Sequence, residues 1–112
     1  MAAPVLMSPE LREARERLRR VPISTVSELF ELDPDEISDG YASGRDGFPC
    51  GDNLTRAQFH GWRNGAMDSH RMEPDAYSVL LIADIRSRGI RLMDLDAVHR
   101  KQFERLKSMG LA

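Results

Sequence analysis

The residues able to do chemistry are few and widely spaced. Cys50, His60, His70 and His99 are the soft ligands, and they include the one thiol nucleophile and the three imidazole bases. Zinc sites bring such groups together at Cys-x-x-Cys or His-x-x-x-His spacing. No such spacing occurs here, so the pattern reads as surface histidines with a loop or buried cysteine, and no metal is expected. A cysteine nucleophile needs a positioned base and a lowered thiol pKa. Cys50 instead lies in a Gly/Pro-rich loop, with His60 ten residues on. The glycines Gly44 and Gly47 are not followed by the lysine of a phosphate-binding loop and do not follow a strand, which argues against nucleotide binding. Asp94 and Asp96 read as a helix cap rather than an acid–base pair. No catalytic residue and no cofactor is expected.

Charge is laid out unevenly along the 112 residues, whose net charge is −2. Residues 1–22 hold five Arg against three Glu. Residues 23–40 hold six acids, Glu28, Glu31, Asp33, Asp35, Glu36 and Asp39, and no Lys or Arg. The remaining two stretches, 41–72 and 73–112, are each +1. Proteins that live by phosphate contacts concentrate cations on one face, whereas this chain sets basic ends around an acidic middle. Two readings of that middle follow. It is a solvated linker with acids at a helix N-terminus, where the dipole favours them, or it is an acidic docking surface, through Glu28, Glu31 and Asp35, for a basic protein partner.

The elements that must position these groups read as helices throughout. A chain of this length carries one domain. Hydrophobic residues at 41% and charged residues at 30% are an ordinary balance for a folded chain. The longest apolar run, Val79 to Ala83, is far short of the ~20 residues of a membrane span, and Met1–Met7 lacks the positive start of a signal peptide. One cysteine excludes an internal disulfide, and the expected compartment is a reducing cytoplasm.

The first helix, over residues 1–22, is expected to start at Ser8 with Pro9 in its first turn and to end at Pro22. Leu11, Ala14, Leu18 and Val21 would form its apolar face, and Glu13–Arg17 and Glu16–Arg20 its i,i+4 pairs. A helical turn over 25–32 and a helix from Asp33-Pro34 to Gly44 follow. A loop over 44–53 and a helix over 55–69 come next. A C-terminal helical pair over 73–112 completes a small all-α bundle of four to five helices. The run Tyr77–Ile85 is apolar around most of its circumference, which suits the centre of the core or a homodimer interface. Asp94 is read as the cap of the last helix, with Leu95, Val98, Phe103, Leu106 and Met109 facing inward.

The last two helices also permit a helix-turn-helix reading. Gly89–Met93 is slightly long for its turn of three to four residues. Asp94 and Asp96 would meet phosphates unfavourably, and Arg100, Lys101, Arg105 and Lys107 come later, where cations also suit a helix C-terminus.

Glycine spacing carries the sharper signal. Gly40 and Gly44 lie four apart, as do Gly61 and Gly65. A glycine inside a helix costs about 1 kcal/mol relative to alanine, so these four need a reason. Residues four apart stack on one stripe, and two bare stripes let helices approach closer than the usual 8–10 Å. The spacing predicts a hairpin of 34–44 against 55–69 packed through its glycines, flanked by Tyr41 and Trp62.

The string Gly40-Tyr41-Ala42-Ser43-Gly44, then Cys50, then Gly61-Trp62-Arg63-Asn64-Gly65 resembles the bacterial ribosome modulation factor family. The likeness covers about residues 36–70, within the 34–70 hairpin segment. Here Pro49 precedes Cys50, where the family sets proline after cysteine. The resemblance implies a non-catalytic regulatory protein that binds the ribosome or its RNA. It would place the contacts on Arg45, Arg56, Arg63 and Arg71, with Tyr41 or Trp62 able to stack on a base. A small adaptor or inhibitor, of the kind encoded by mobile elements or phage-derived regions, is the other expectation.

Overall fold

Thr25, Asp33, Thr55, Asp75 and Asp96 each turn a side-chain oxygen onto a backbone N–H two or three residues on, and a helix follows each of them. The computed structural model describes residues 8–112, and the side chains of all of these except Arg12, residues 15–19 and Leu92. Its helices are α1 (Pro9–Arg20), α2 (Val26–Phe30), α3 (Pro34–Arg45), α4 (Arg56–Asp68), α5 (Ala76–Ser87) and α6 (Ala97–Ser108). A 3₁₀ turn, Leu92–Asp94, precedes α6. The fold is all-α. Among the described residues it has six α-helices rather than four to five, because the turn over 25–32 closes into a short helix of its own. Asp84 of α5 accepts from the Val26 N–H at 2.8 Å and so holds the start of that helix from outside.

The expectations for Met1–Met7, for Leu18 and for the pairs Glu13–Arg17 and Glu16–Arg20 lie outside the described residues and side chains. On the rest of that face Ala14 is half-buried, and two residues are corrected. Leu11 and Val21 are exposed, because α1 touches the body mainly along α4.

The core has two clusters. Ile23, Val26, Leu81, Ile82, Ile85 and Leu106 form one. Ile37, Tyr41, Ala57 and Val98 form the other. Leu29 and Leu32, on and just after α2, pack against both and join them. The apolar helix α5 supplies half of the first cluster but is not wrapped all round. It buries Leu81, Ile82 and Ile85 and leaves Tyr77 and Leu80 exposed. Two details of the last helix also change. Asp96, not Asp94, caps α6, since Asp94 ends the 3₁₀ turn and pairs with Arg91 at 3.0 Å. Met109 follows the helix as its C-cap and is exposed.

The closest packing in the molecule joins α3 to α4. A Cβ on Gly61 would collide with the carbonyl oxygen of Ile37 and lie 2.8 Å from the Tyr41 nitrogen. A Cβ on Gly40 would collide with the Gln58 carbonyl and lie 2.9 Å from the Gln58 Cα. Gly44 faces the backbone of Trp62 and Ala66, and Gly65 that of Tyr41 and Arg45. Backbone meets backbone along the whole seam, which is why α3 can set Tyr41 and Arg45 close to the end of α4.

Candidate functional site

Four helices end in the same hydrogen-bond pattern, and one of them uses an unusual residue. At the ends of α3, α5 and α6, Gly47, Gly89 and Gly110 take φ of +85°, +71° and +75°. At the end of α4 the same position is His70, with φ of +63°. The Arg71 N–H returns to the Ala66 carbonyl at 2.8 Å and the His70 N–H to Met67 at 3.1 Å, which closes the turn. Glycine reaches this backbone region without steric cost and a side chain does not. The turn puts the His70 imidazole against α6, where Arg105 Nη2 donates to Nδ1 at 3.1 Å. Arginine has no acceptor, so Nδ1 accepts and the ring hydrogen sits on Nε2.

Around His70 lies an open groove of about 520 Å³. Tyr41 and Arg45, four apart on α3, form one wall. Lys101 and Arg105, four apart on α6, form the other. Tyr41 is buried, and its hydroxyl donates to Asp68 Oδ2 at 2.6 Å. Burial first, and then the Asp68 carboxylate, push its pKa up to about 12. The Lys101 ammonium stands 5.5 Å and the Arg45 guanidinium 5.8 Å from the centre of the Tyr41 ring, both in cation–π range. Arg105 reaches Asp68 Oδ1 at 3.5 Å. Three cations and an imidazole thus share one concavity with two carboxylates, Asp68 and Glu104. Asp68 is already bound by Tyr41 and Arg105.

The residues singled out by sequence divide sharply. Tyr41 and Arg45 line the groove, although Tyr41 is too buried to stack on a base. Arg56 is not free. Its guanidinium pairs at 2.6 Å with Glu28, which the sequence placed in the acidic docking set. Burial works against ionisation of Glu28, but the Ser24 N–H, Arg56 and Thr25 outweigh it and hold the carboxyl below its usual range. Arg63 is not a surface contact either. It is buried to 3% exposure and ion-paired with Asp75. Trp62 is half-buried and donates its indole N–H to the Phe48 carbonyl at 2.8 Å. Arg71 lies over Gly47 in the loop after α3. Glu31 and Asp35 are exposed.

Two of the three histidines are in the interior, which corrects the expectation of surface histidines. His60 of α4 and His99 of α6 bring their Nε2 atoms to 2.8 Å, with stacked rings. His99 Nδ1 donates to Asp96 Oδ1 at 2.7 Å. Between the two Nε2 atoms one ring donates and the other accepts. Burial, then His99 and then Arg63 push the His60 pKa down to about 3. Asn64, one turn along α4, donates to the His60 carbonyl at 2.9 Å. Asn64 Oδ1 and Gln102 Oε1 are buried without a protein partner among the described residues. With its ring turned to His99, His60 is no base for Cys50, whose thiol burial pushes up rather than down. Among the described residues no group of three or more His, Cys, Asp or Glu could hold a metal ion.

Sequence reasoning missed Asp68 and His70 and met Lys101 and Arg105 only as helix-end cations. Their signal was the i,i+4 spacing of Lys101 and Arg105, which matches that of Tyr41 and Arg45. Nothing local says that the two pairs face each other. The connection between α5 and α6 runs over nine residues, 88–96. That exceeds a helix-turn-helix turn. No helix among the described residues is long and apolar enough to cross a membrane. Comparison with family models, curated proteins and solved structures returns no match for this chain.

Proposed function

We propose that the chain is a non-catalytic, RNA-binding regulatory protein, and that the groove between α3 and α6 takes RNA phosphates. The observation that supports this reading is the convergence of Arg45, Lys101 and Arg105 on Tyr41, beside a histidine held at positive φ. Backbone conformations of that kind persist where the surroundings over-determine them, and they cluster at functional sites. The ribosome as target comes from the likeness of residues 36–70 to ribosome modulation factors. The groove shares Tyr41 and Arg45 with that region and draws its other cations from α6. Phosphate contact through guanidinium and ammonium groups is sequence-independent and falls with salt. The absence of a free stacking aromatic in the groove fits backbone recognition rather than base reading.

Fluorescence anisotropy with labelled single-stranded and small-subunit RNA fragments, run across a salt series, tests the proposal. With Arg105 held by Asp68, two phosphate contacts, from Arg45 and Lys101, give a log–log salt slope of about −1.4 on single-stranded RNA. Arg45→Glu combined with Lys101→Glu abolishes binding, and the protein co-sediments with small ribosomal subunits in the unaltered form only. Arg56→Glu acts through stability rather than affinity, since Arg56 is spent on Glu28. Failure of the unaltered protein to bind any RNA at low salt ends this reading.

A further inference from the structure

Beside the first turn of α3, where Pro34 and Ile37 reach its wall, α2 stands apart from the segment that links α5 to α6. Between them lies a half-open cavity of about 650 Å³. Its walls are apolar, built from Val26, Leu29, Leu32, Ile85, Ile90 and Leu95. Phe30 stands at its rim with 76% of its surface exposed, the most exposed large hydrophobic side chain among the described residues. Exposed aromatic side chains beside an apolar hollow are the usual anchors of protein interfaces.

The polar groups at this cavity are already committed. His99 reaches its wall, but both ring nitrogens are taken, by Asp96 and His60. Asp94 is held by Arg91. A pocket for a small molecule fixes its ligand with a few convergent polar groups, and this floor has none to spare. What remains is shape and charge. The α2–α3 rim carries the exposed acids Glu31, Asp33 and Asp35, and no Lys or Arg is among the described residues lining the cavity.

We infer that this groove docks a basic amphipathic helix of a partner protein. The helix sets its apolar anchors, at i, i+3, i+4 and i+7, into the hollow beside Phe30, and its Lys or Arg side chains meet Glu31 and Asp35. This proposal is independent of RNA binding, because the cationic groove shares no residue with it.

The probes are three synthetic fifteen-residue peptides. One has Leu at the four anchor positions and Lys elsewhere, one has Glu in place of Lys, and one keeps the lysine peptide's composition with its order scrambled. Binding is followed by amide chemical shifts of the full chain. The lysine peptide shifts the amides of α2, Ile90 and Leu95, and the other two do not. Phe30→Ala weakens it about tenfold or more, and Glu31→Lys with Asp35→Lys weakens it several-fold and flattens its salt dependence. Both changes are at exposed positions, and Arg45→Glu with Lys101→Glu leaves the affinity unchanged. Equal binding of the glutamate or scrambled peptide overturns the inference, as does indifference to Phe30→Ala. Groove shifts that appear with rising protein concentration, together with a dimer mass in sedimentation, would assign the surface to a second copy instead and also overturn it.

Discussion

Helix α4 is held from two sides by opposite means. Toward α3 it presents Gly61 and Gly65, with no side chain, and the partner supplies backbone. Toward α6 and the start of α5 it presents His60, Arg63 and Asn64, all buried and all polar. The glycine side has dispersion contact and shape, with nothing to titrate. The polar side has hydrogen bonds and charge, which lose their value when one partner goes or a proton arrives. One helix therefore carries a seam that is sensitive to volume and another that is sensitive to protonation.

The first way to break the comparison is Gly61→Leu. Backbone atoms of Ile37 and Tyr41 occupy the space, and they cannot yield as a side-chain tip does. The expected loss is at or beyond the 1–3 kcal/mol of ordinary overpacking, read from urea unfolding, with Gly65→Ala nearly as severe. A near-neutral midpoint shift would mean that α3 and α4 can separate without cost.

Asp75→Ala attacks the other side. It strips the buried Arg63 guanidinium of its counter-charge and removes the N-cap of α5. Losing one partner of a buried pair costs about 3–5 kcal/mol, and the part-exposure of Asp75 puts the expectation near the lower bound. Asp75→Asn, which can still cap, should recover part of the loss in the same melts.

The pH dependence separates the two seams without a change of volume. His60 has a folded pKa of about 3 against 6.5 in the unfolded chain. The unfolded state therefore takes up a proton that the folded state refuses. Stability is full above pH 6.5 and falls by about 1.4 kcal/mol per unit as pH drops from there toward 3. Asp96, whose carboxyl is held low by His99 against the opposing pull of burial, adds a loss only below the ordinary carboxylate range. Urea midpoints of His60→Leu between pH 4 and 7 should lack the His60 slope. That variant is weaker than the unaltered chain near neutrality, because the buried His99 Nε2 is left without its hydrogen-bond partner. Gly65→Ala should keep the slope and shift the whole curve downward.

The smallest effect is at the end of α4. His70→Gly relieves the positive φ and should stabilise by less than about 1 kcal/mol, while RNA affinity in the anisotropy assay falls. A gain in stability with no change in affinity would leave His70 as a cap only.

Much of the architecture could be read along the chain. Ser, Thr, Asp and Pro at helix starts located the helices to within a few residues, because capping is local. The four glycines drew attention to α3 and α4, because a residue that weakens a helix needs compensation from packing. The misreadings have a common origin. His60 and His99 are thirty-nine positions apart, and neither has neighbours that mark it as buried. Arg56 and Glu28 were read as contacts for two different partners, and they turned out to be each other's. Charge complementarity over that separation leaves no local trace.

Capping chemistry, helical periodicity and glycine spacing, all written within a few turns of chain, were enough to determine that this is an all-α protein with a close helical pair. Which charges are spent internally and which remain for a partner was decided only when α6 and α2 packed against the hairpin. Burial, pairing and proton affinity depend on distances between segments remote in sequence, and those distances exist only in the folded molecule.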